Sequence, residues 1–158
     1  MKNFTLVLFL TTSILTLAQT EKNTYNFDND TEAFFGEGGN VSATPSGFIT
    51  FSPISNYARI VQKTNYINAY ENKTIRLRIS NQSSTNNVLS LSVDGKAIGN
   101  IEVSTNDGNS FKEYVFKITS NKWIGNVSEF KLFPRNSETK MNDDDGALII
   151  DYIIFSKK

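Results

Sequence analysis

The chain has 158 residues, a length that fits one domain, with 16 basic and 16 acidic residues and neither His nor Cys. The absence of Cys excludes disulfides and a lipid anchor on cysteine, and without His as well zinc and thiol chemistry have no ligands to work with. Balanced charge without a basic block argues against nucleic acid as a partner.

The first 18 residues read as a secretory signal peptide. Lys2 supplies the positive start, residues 4–17 are largely apolar, and Thr16-Leu17-Ala18 places small residues where a signal peptidase cleaves. The apolar run is short for a bilayer span, and no second run of about 20 apolar residues follows, so no transmembrane anchor is expected. Residues 19–158 are expected to form a single secreted domain, periplasmic or extracellular. About 140 residues can bury a sufficient core without staples.

Taken in order, residues 25–27 suggest a first strand, followed by the acidic turn Asp28-Asn29-Asp30-Thr31-Glu32. Phe34 and Phe35 precede Gly36-Glu37-Gly38-Gly39, which reads as a glycine-rich loop. Residues 47–52 and 58–62 read as strands, the first ended by Pro53. Residues 63–72 carry Tyr66 and Tyr70 among asparagines and read as a loop.

The cleanest alternation lies at residues 73–81. Ile75, Leu77 and Ile79 face one way, and Thr74, Arg76, Arg78 and Ser80 the other. Residues 88–93 alternate again, and Asp94-Gly95 turns the chain into a strand over 96–103. A strand over 111–118 puts Tyr114, Phe116 and Ile118 on one face and Glu113 and Lys117 on the other. Trp123-Ile124-Gly125 precedes a strand over 129–133 that Pro134 is expected to end. A polar loop over 135–145 contains Asp143-Asp144-Asp145, which reads as a solvated run because adjacent acids diverge.

The last stretch, residues 146–155, is apolar except for Asp151 and reads as an interior strand. A carboxylate there needs a partner. No amphipathic helix of ten residues is visible. Roughly nine short strands with turn signals about every 8–12 residues indicate an all-β antiparallel sandwich or barrel.

Several of these stretches together resemble a known group. Trp123-Ile-Gly125, Val127, Phe130-Lys-Leu-Phe-Pro134, Gly146 and Ile150-Asp-Tyr-Ile153 are similar to the C-terminal half of galactose-binding-domain-like jelly-roll modules of secreted carbohydrate-active enzymes. Phe27-Asp28 with Asp30-Thr-Glu32 resembles their N-terminal signature, and residues 73–81 their middle strand. The chain departs from the pattern at Phe34-Phe35, where those modules often carry Trp, and at Lys131, where they often carry Arg. The resemblance implies a β-sandwich jelly roll and a non-catalytic, lectin-like module that binds polysaccharide. It also implies a structural calcium joining the first turn to the last strand, with Asp28 and Asp151 as ligands and Asp30 or Glu32 beside them. Asp151 could instead accept backbone N–H bonds or pair with Lys or Arg.

Two groups of side chains are candidates for sugar contact. Tyr57, Tyr66 and Tyr70 fall in predicted loops among Asn56, Asn65 and Asn68, and their rings could stack on sugar C–H faces at one edge of the sandwich. Arg76 and Arg78 share an outward strand face, expected beside Ser90 and Ser92, and could hold acidic polysaccharide through their guanidinium forks. The resemblance implies that Trp123 lies in the core. The competing readings are an interaction domain without a sugar site and a small polysaccharide-degrading enzyme, although no close-set pair of carboxylates marks a glycosidase.

Overall fold

The computed structural model describes residues 23–63, 67–143 and 146–157. The proposed signal peptide, Tyr66 and the last two acids of the Asp143–Asp145 run fall outside these residues. Among the described residues no helix is long and apolar enough to cross a membrane.

Among the described residues thirteen strands follow one another: β1 (Thr24–Tyr25), β2 (Phe34–Glu37), β3 (Gly39–Ala43), β4 (Ile49–Pro53), β5 (Arg59–Gln62), β6 (Ile67–Asn68), β7 (Thr74–Asn81), β8 (Val88–Val93), β9 (Lys96–Glu102), β10 (Lys112–Lys117), β11 (Asn126–Val127), β12 (Phe130–Arg135) and β13 (Leu148–Ser156). They form two antiparallel sheets and a small ladder. The first sheet has the order β10-β7-β13-β4-β3, with β1 also paired to β13; the second is β2-β5-β12-β8-β9; β11 and β6 form the ladder. This is the all-β sandwich that the alternating pattern predicts.

The inward residues of both sheets meet in one core. Ile49, Phe51, Ile75, Leu77, Ile79, Ile150, Ile153 and Phe155 come from the first sheet, and Ile60, Leu89, Leu91, Val93, Phe130 and Leu132 from the second. Phe155 is the hub at one end. It packs edge-on against Tyr25 and Phe130, with centroids 6.2 and 5.2 Å away, and stacks on Trp123 at 6.1 Å and 7°. Trp123 is buried as expected, and its indole N–H donates to the Asn72 carbonyl at 2.6 Å.

Asparagines close the other end of the sandwich. The buried Asn81 amide donates to the carbonyls of Asn86 and Ser104 at 2.6 and 2.8 Å, and Asn86 donates to the Asn142 side chain at 3.2 Å. These bonds tie three loops together in a chain that has no disulfide to do so.

Four local expectations need correction. Residues 36–39 are not a loop but the corner that takes the chain from β2 in one sheet to β3 in the other. Gly38 turns at φ 69°, and a Cβ on Gly36 would lie 2.1 Å from the Gly39 carbonyl oxygen. Residues 63–72 are not wholly loop, since β6 pairs with β11. Pro134 does not end its strand. β12 pairs with β5 only as far as Leu132, so at Pro134 only β8 lies alongside, and a missing N–H is tolerated there. Finally, β7 does not lie beside β8: residues 82–87 cross between sheets, so Ser90 and Ser92 belong to the other sheet from Arg76 and Arg78. The two arginines instead stand between β10 and β13.

Candidate binding face of the first sheet

Strand β13 changes phase in its middle. Leu148 and Ile150 point inward, but the next inward residues are Ile153 and Phe155, a spacing of three rather than two. The ladder explains it: Ile150 pairs with Ile79 and Tyr152 with Arg78, so Asp151 is the extra residue of a β-bulge. The bulge leaves Tyr152 opposite Arg78 on the outward side.

That side carries a row across three strands. Glu113 of β10 and Tyr152 of β13 lie directly opposite Arg78 of β7. One step along, Val115 and Ile154 flank Arg76. The short spacing of paired side chains on one sheet face brings these groups into contact. Arg76 Nη2 donates to both Glu113 oxygens, at 2.9 and 3.0 Å. The Tyr152 hydroxyl donates to Glu113 Oε2, and Arg78 pairs with the Asp151 carboxylate. The Arg78 guanidinium also lies over the Phe111 ring at 5.2 Å, and Phe111 leans on Phe48 with centroids 5.1 Å apart.

The face is open to solvent. The side chains of Arg76 and Arg78 are 44 and 47% exposed, and that of Glu113 is 37%. The ionisation states are set by mutual contact. The Tyr152 hydroxyl and the Arg76 guanidinium hold the Glu113 carboxyl below the usual carboxylate range. Partial burial and the Glu113 bond push the Tyr152 phenol up, and Glu113 raises Arg76. At neutral pH the face therefore presents two cationic forks, a neutral phenol, an ionised carboxylate and a shelf of half-buried aromatic rings. Such a surface donates and accepts hydrogen bonds and offers ring faces to C–H groups. Glu113 is shifted in the direction opposite to that required of a general acid in glycoside cleavage.

The predicted residues are distributed unevenly. Arg76 and Arg78 are brought together with partners that local sequence did not reveal: Glu113, Tyr152 and the Phe48–Phe111 pair. The inward spacing that marks the bulge appears only in the fold, because residues 148–155 are apolar or aromatic on both sides of Asp151. Tyr57 and Tyr70 do not share an edge. Tyr57 follows Asn56, whose carbonyl accepts the Asn142 N–H at 2.9 Å, near the start of β13. Tyr70 lies under the Lys73 ammonium at 5.8 Å, and the Lys73 N–H bonds the Ser156 carbonyl at the end of β13. The length of β13 separates the two rings, each of which is about two-thirds exposed.

The expected calcium ligands are engaged elsewhere. Asp151 is paired with Arg78, Asp28 accepts from the Asn26 amide, and Asp30 accepts the Glu32 N–H at 2.5 Å. Among the described residues no group of three acidic side chains could hold a metal ion. The donor set therefore does not fit the calcium that the resemblance implies. Asp143 is likewise occupied, by the Asn136 amide at 2.9 Å.

No protein-family model and no curated protein matches the sequence. Solved structures do. The CsCBM6-3 module of Clostridium stercorarium, in complex with cellobiose, superposes with a TM-score of 0.55 at 16% identity, covering 85% of this chain and 93% of that one. A family 6 carbohydrate-binding module from Clostridium cellulolyticum, in complex with xylose, gives 0.56 at 12% identity over 84 and 95% of the two chains. The C-terminal family 6 module of LamC from Zobellia galactanivorans gives 0.57 at 12% identity over 85 and 98%. The chain thus has the β-sandwich fold of carbohydrate-binding modules, as the jelly-roll resemblance implies.

Proposed function

We propose that the protein is a non-catalytic carbohydrate-binding module that takes polysaccharide on the outward face of its first sheet. The row Glu113–Arg78–Tyr152, with Arg76 beside it, carries this reading. Its donors and acceptors stand on paired strands with the Phe48–Phe111 rings beside Arg78, which suits a ligand with hydroxyls on its rim and C–H groups on its faces. The neighbours of the same fold that hold cellobiose and xylose support a saccharide over a protein partner. Secretion through the N-terminal signal fits a ligand outside the cell. Tyr57 and Tyr70 are too far apart to form one site and would act singly.

Calorimetric titration with cello-, xylo- and laminari-oligosaccharides tests the proposal. The folded protein binds at least one, and Tyr152→Ala weakens that binding about tenfold or more, as expected for loss of a stacking and hydrogen-bonding ring. Equal affinity in the variant moves the site off this face. No binding to any glycan by the folded protein refutes the function.

A further inference from the structure

A surface cavity of about 480 Å³ lies against the first sheet, lined by Lys73, Thr74, Val115, Lys117, Ile118 and Lys157. It adjoins the row described above, because Val115 is the residue opposite Arg76 and Lys117 is opposite Thr74. Val115 is 55% exposed, an apolar floor left open to water. Tyr70 stands beside it, under Lys73.

The charge of the cavity is one-sided. Among the described residues, no carboxylate pairs with Lys73 or Lys117. Lys157 pairs with Glu71 at 3.5 Å, but both side chains are largely exposed, and such a pair exchanges readily for another anion. Three ammonium groups against one carboxylate give local positive charge in a chain whose formal net charge is zero. Ammonium groups act as point charges and hold a sulfate or a single carboxylate without demanding a planar fork.

We infer that the cavity is a subsite for an anionic substituent, a sulfate ester or a uronate carboxylate, on the saccharide bound by the adjoining face. The apolar floor and the Tyr70 ring receive the sugar ring while Lys73, Lys117 and Lys157 receive its charge. The inference rests on the sugar reading of that face and narrows the ligand to acidic polysaccharide.

The test titrates the full chain with a sulfated galacto-oligosaccharide, an oligouronate and a neutral cello-oligosaccharide of matched length, at about 150 mM salt so that long-range attraction is screened. At least one anionic ligand binds about tenfold or more tightly than the neutral one, and which one does so separates sulfate from carboxylate. The double substitution Lys73→Gln with Lys117→Gln abolishes that excess and leaves the neutral affinity and the melting midpoint unchanged. Charge reversal in Lys117→Glu alone lowers the anionic affinity further than Lys117→Gln. Equal affinity for neutral and anionic ligands, or an excess that survives the double substitution, overturns the subsite while the sugar face stands. Failure of all three ligands to bind overturns the sugar face and the subsite with it.

Discussion

Replacing Asp107 by Ala tests how the strand that carries Glu113 is held. The Asp107 side chain is fully buried, and its carboxylate accepts the Asn81 N–H at 3.1 Å, the Ser104 hydroxyl at 2.7 and 2.9 Å, and the Lys112 ammonium at 2.5 Å. Asn81 is the last residue of β7 and Lys112 the first of β10, so one carboxylate fastens the two strands at their common end. Truncation leaves the buried Asn81 N–H without that acceptor, a cost of about 1–3 kcal/mol. Ser104 keeps the Tyr114 hydroxyl at 2.8 Å, and the half-exposed Lys112 turns to water, so neither adds much. A loss of about 2 kcal/mol corresponds to a midpoint lowered by roughly 6 °C for a domain of this size. Thermal melts followed by far-UV circular dichroism read it.

The same residue fixes a pH dependence. Burial pushes the Asp107 carboxyl up, but the bonds from Lys112, Ser104 and Asn81 outweigh burial and hold it below its ordinary value. A depressed carboxylate contributes stability above its unfolded pKa of about 3.9 and loses it as pH falls toward the folded value. The gap between wild type and Asp107→Ala therefore narrows between pH 5 and the acid limit. A midpoint for Asp107→Ala within about 2 °C of wild type at pH 7 would refute the clamp.

Three other outcomes follow from the geometry. Saccharide binding is flat from about pH 5 to 9, because Glu113 is held ionised below that window and Tyr152 neutral above it; a titration step inside it in isothermal measurements would contradict the arrangement. EDTA leaves the melting midpoint unchanged, since Asp28, Asp30 and Asp151 already have partners in the protein; a fall of several degrees would restore the calcium. Trp123→Phe lowers stability by about 1–3 kcal/mol, from the Asn72 carbonyl deprived of its donor, in denaturant melts that keep the same slope.

The strands were legible where one face is buried. Ile75, Leu77 and Ile79 announce β7, and Leu89, Leu91 and Val93 announce β8, because period two is written into each segment. Their neighbours were not legible. Nothing local in residues 74–81 says that β10 and β13 flank them, since such pairing is fixed by the packing of distant segments. The candidate face inherits that opacity: Arg76 and Arg78 are evident as outward residues, whereas Glu113 and Tyr152 join them only through the ladder. Asp151 was visible as a carboxylate in need of a partner, and Arg78 is that partner. Tyr57 and Tyr70, grouped with Tyr66 by their nearness in sequence, lie at opposite ends of β13, because a short stretch of chain can cross the sandwich.

The bulge at Asp151 makes β13 two half-strands with opposite parity. Deleting this single residue would restore strict alternation and leave every other residue on its own side, with Tyr152 outward and Ile153 and Phe155 inward. Deleting Tyr152 instead, with the bulge kept, would turn outward the ring on which Tyr25, Phe130 and Trp123 converge and take the phenol from the outer face in the same event. The core thus tolerates the loss of a residue at Asp151 and not beyond it. At Asp151, therefore, the two faces can be separated: its loss takes the carboxylate partner from Arg78 and leaves the interior as it was.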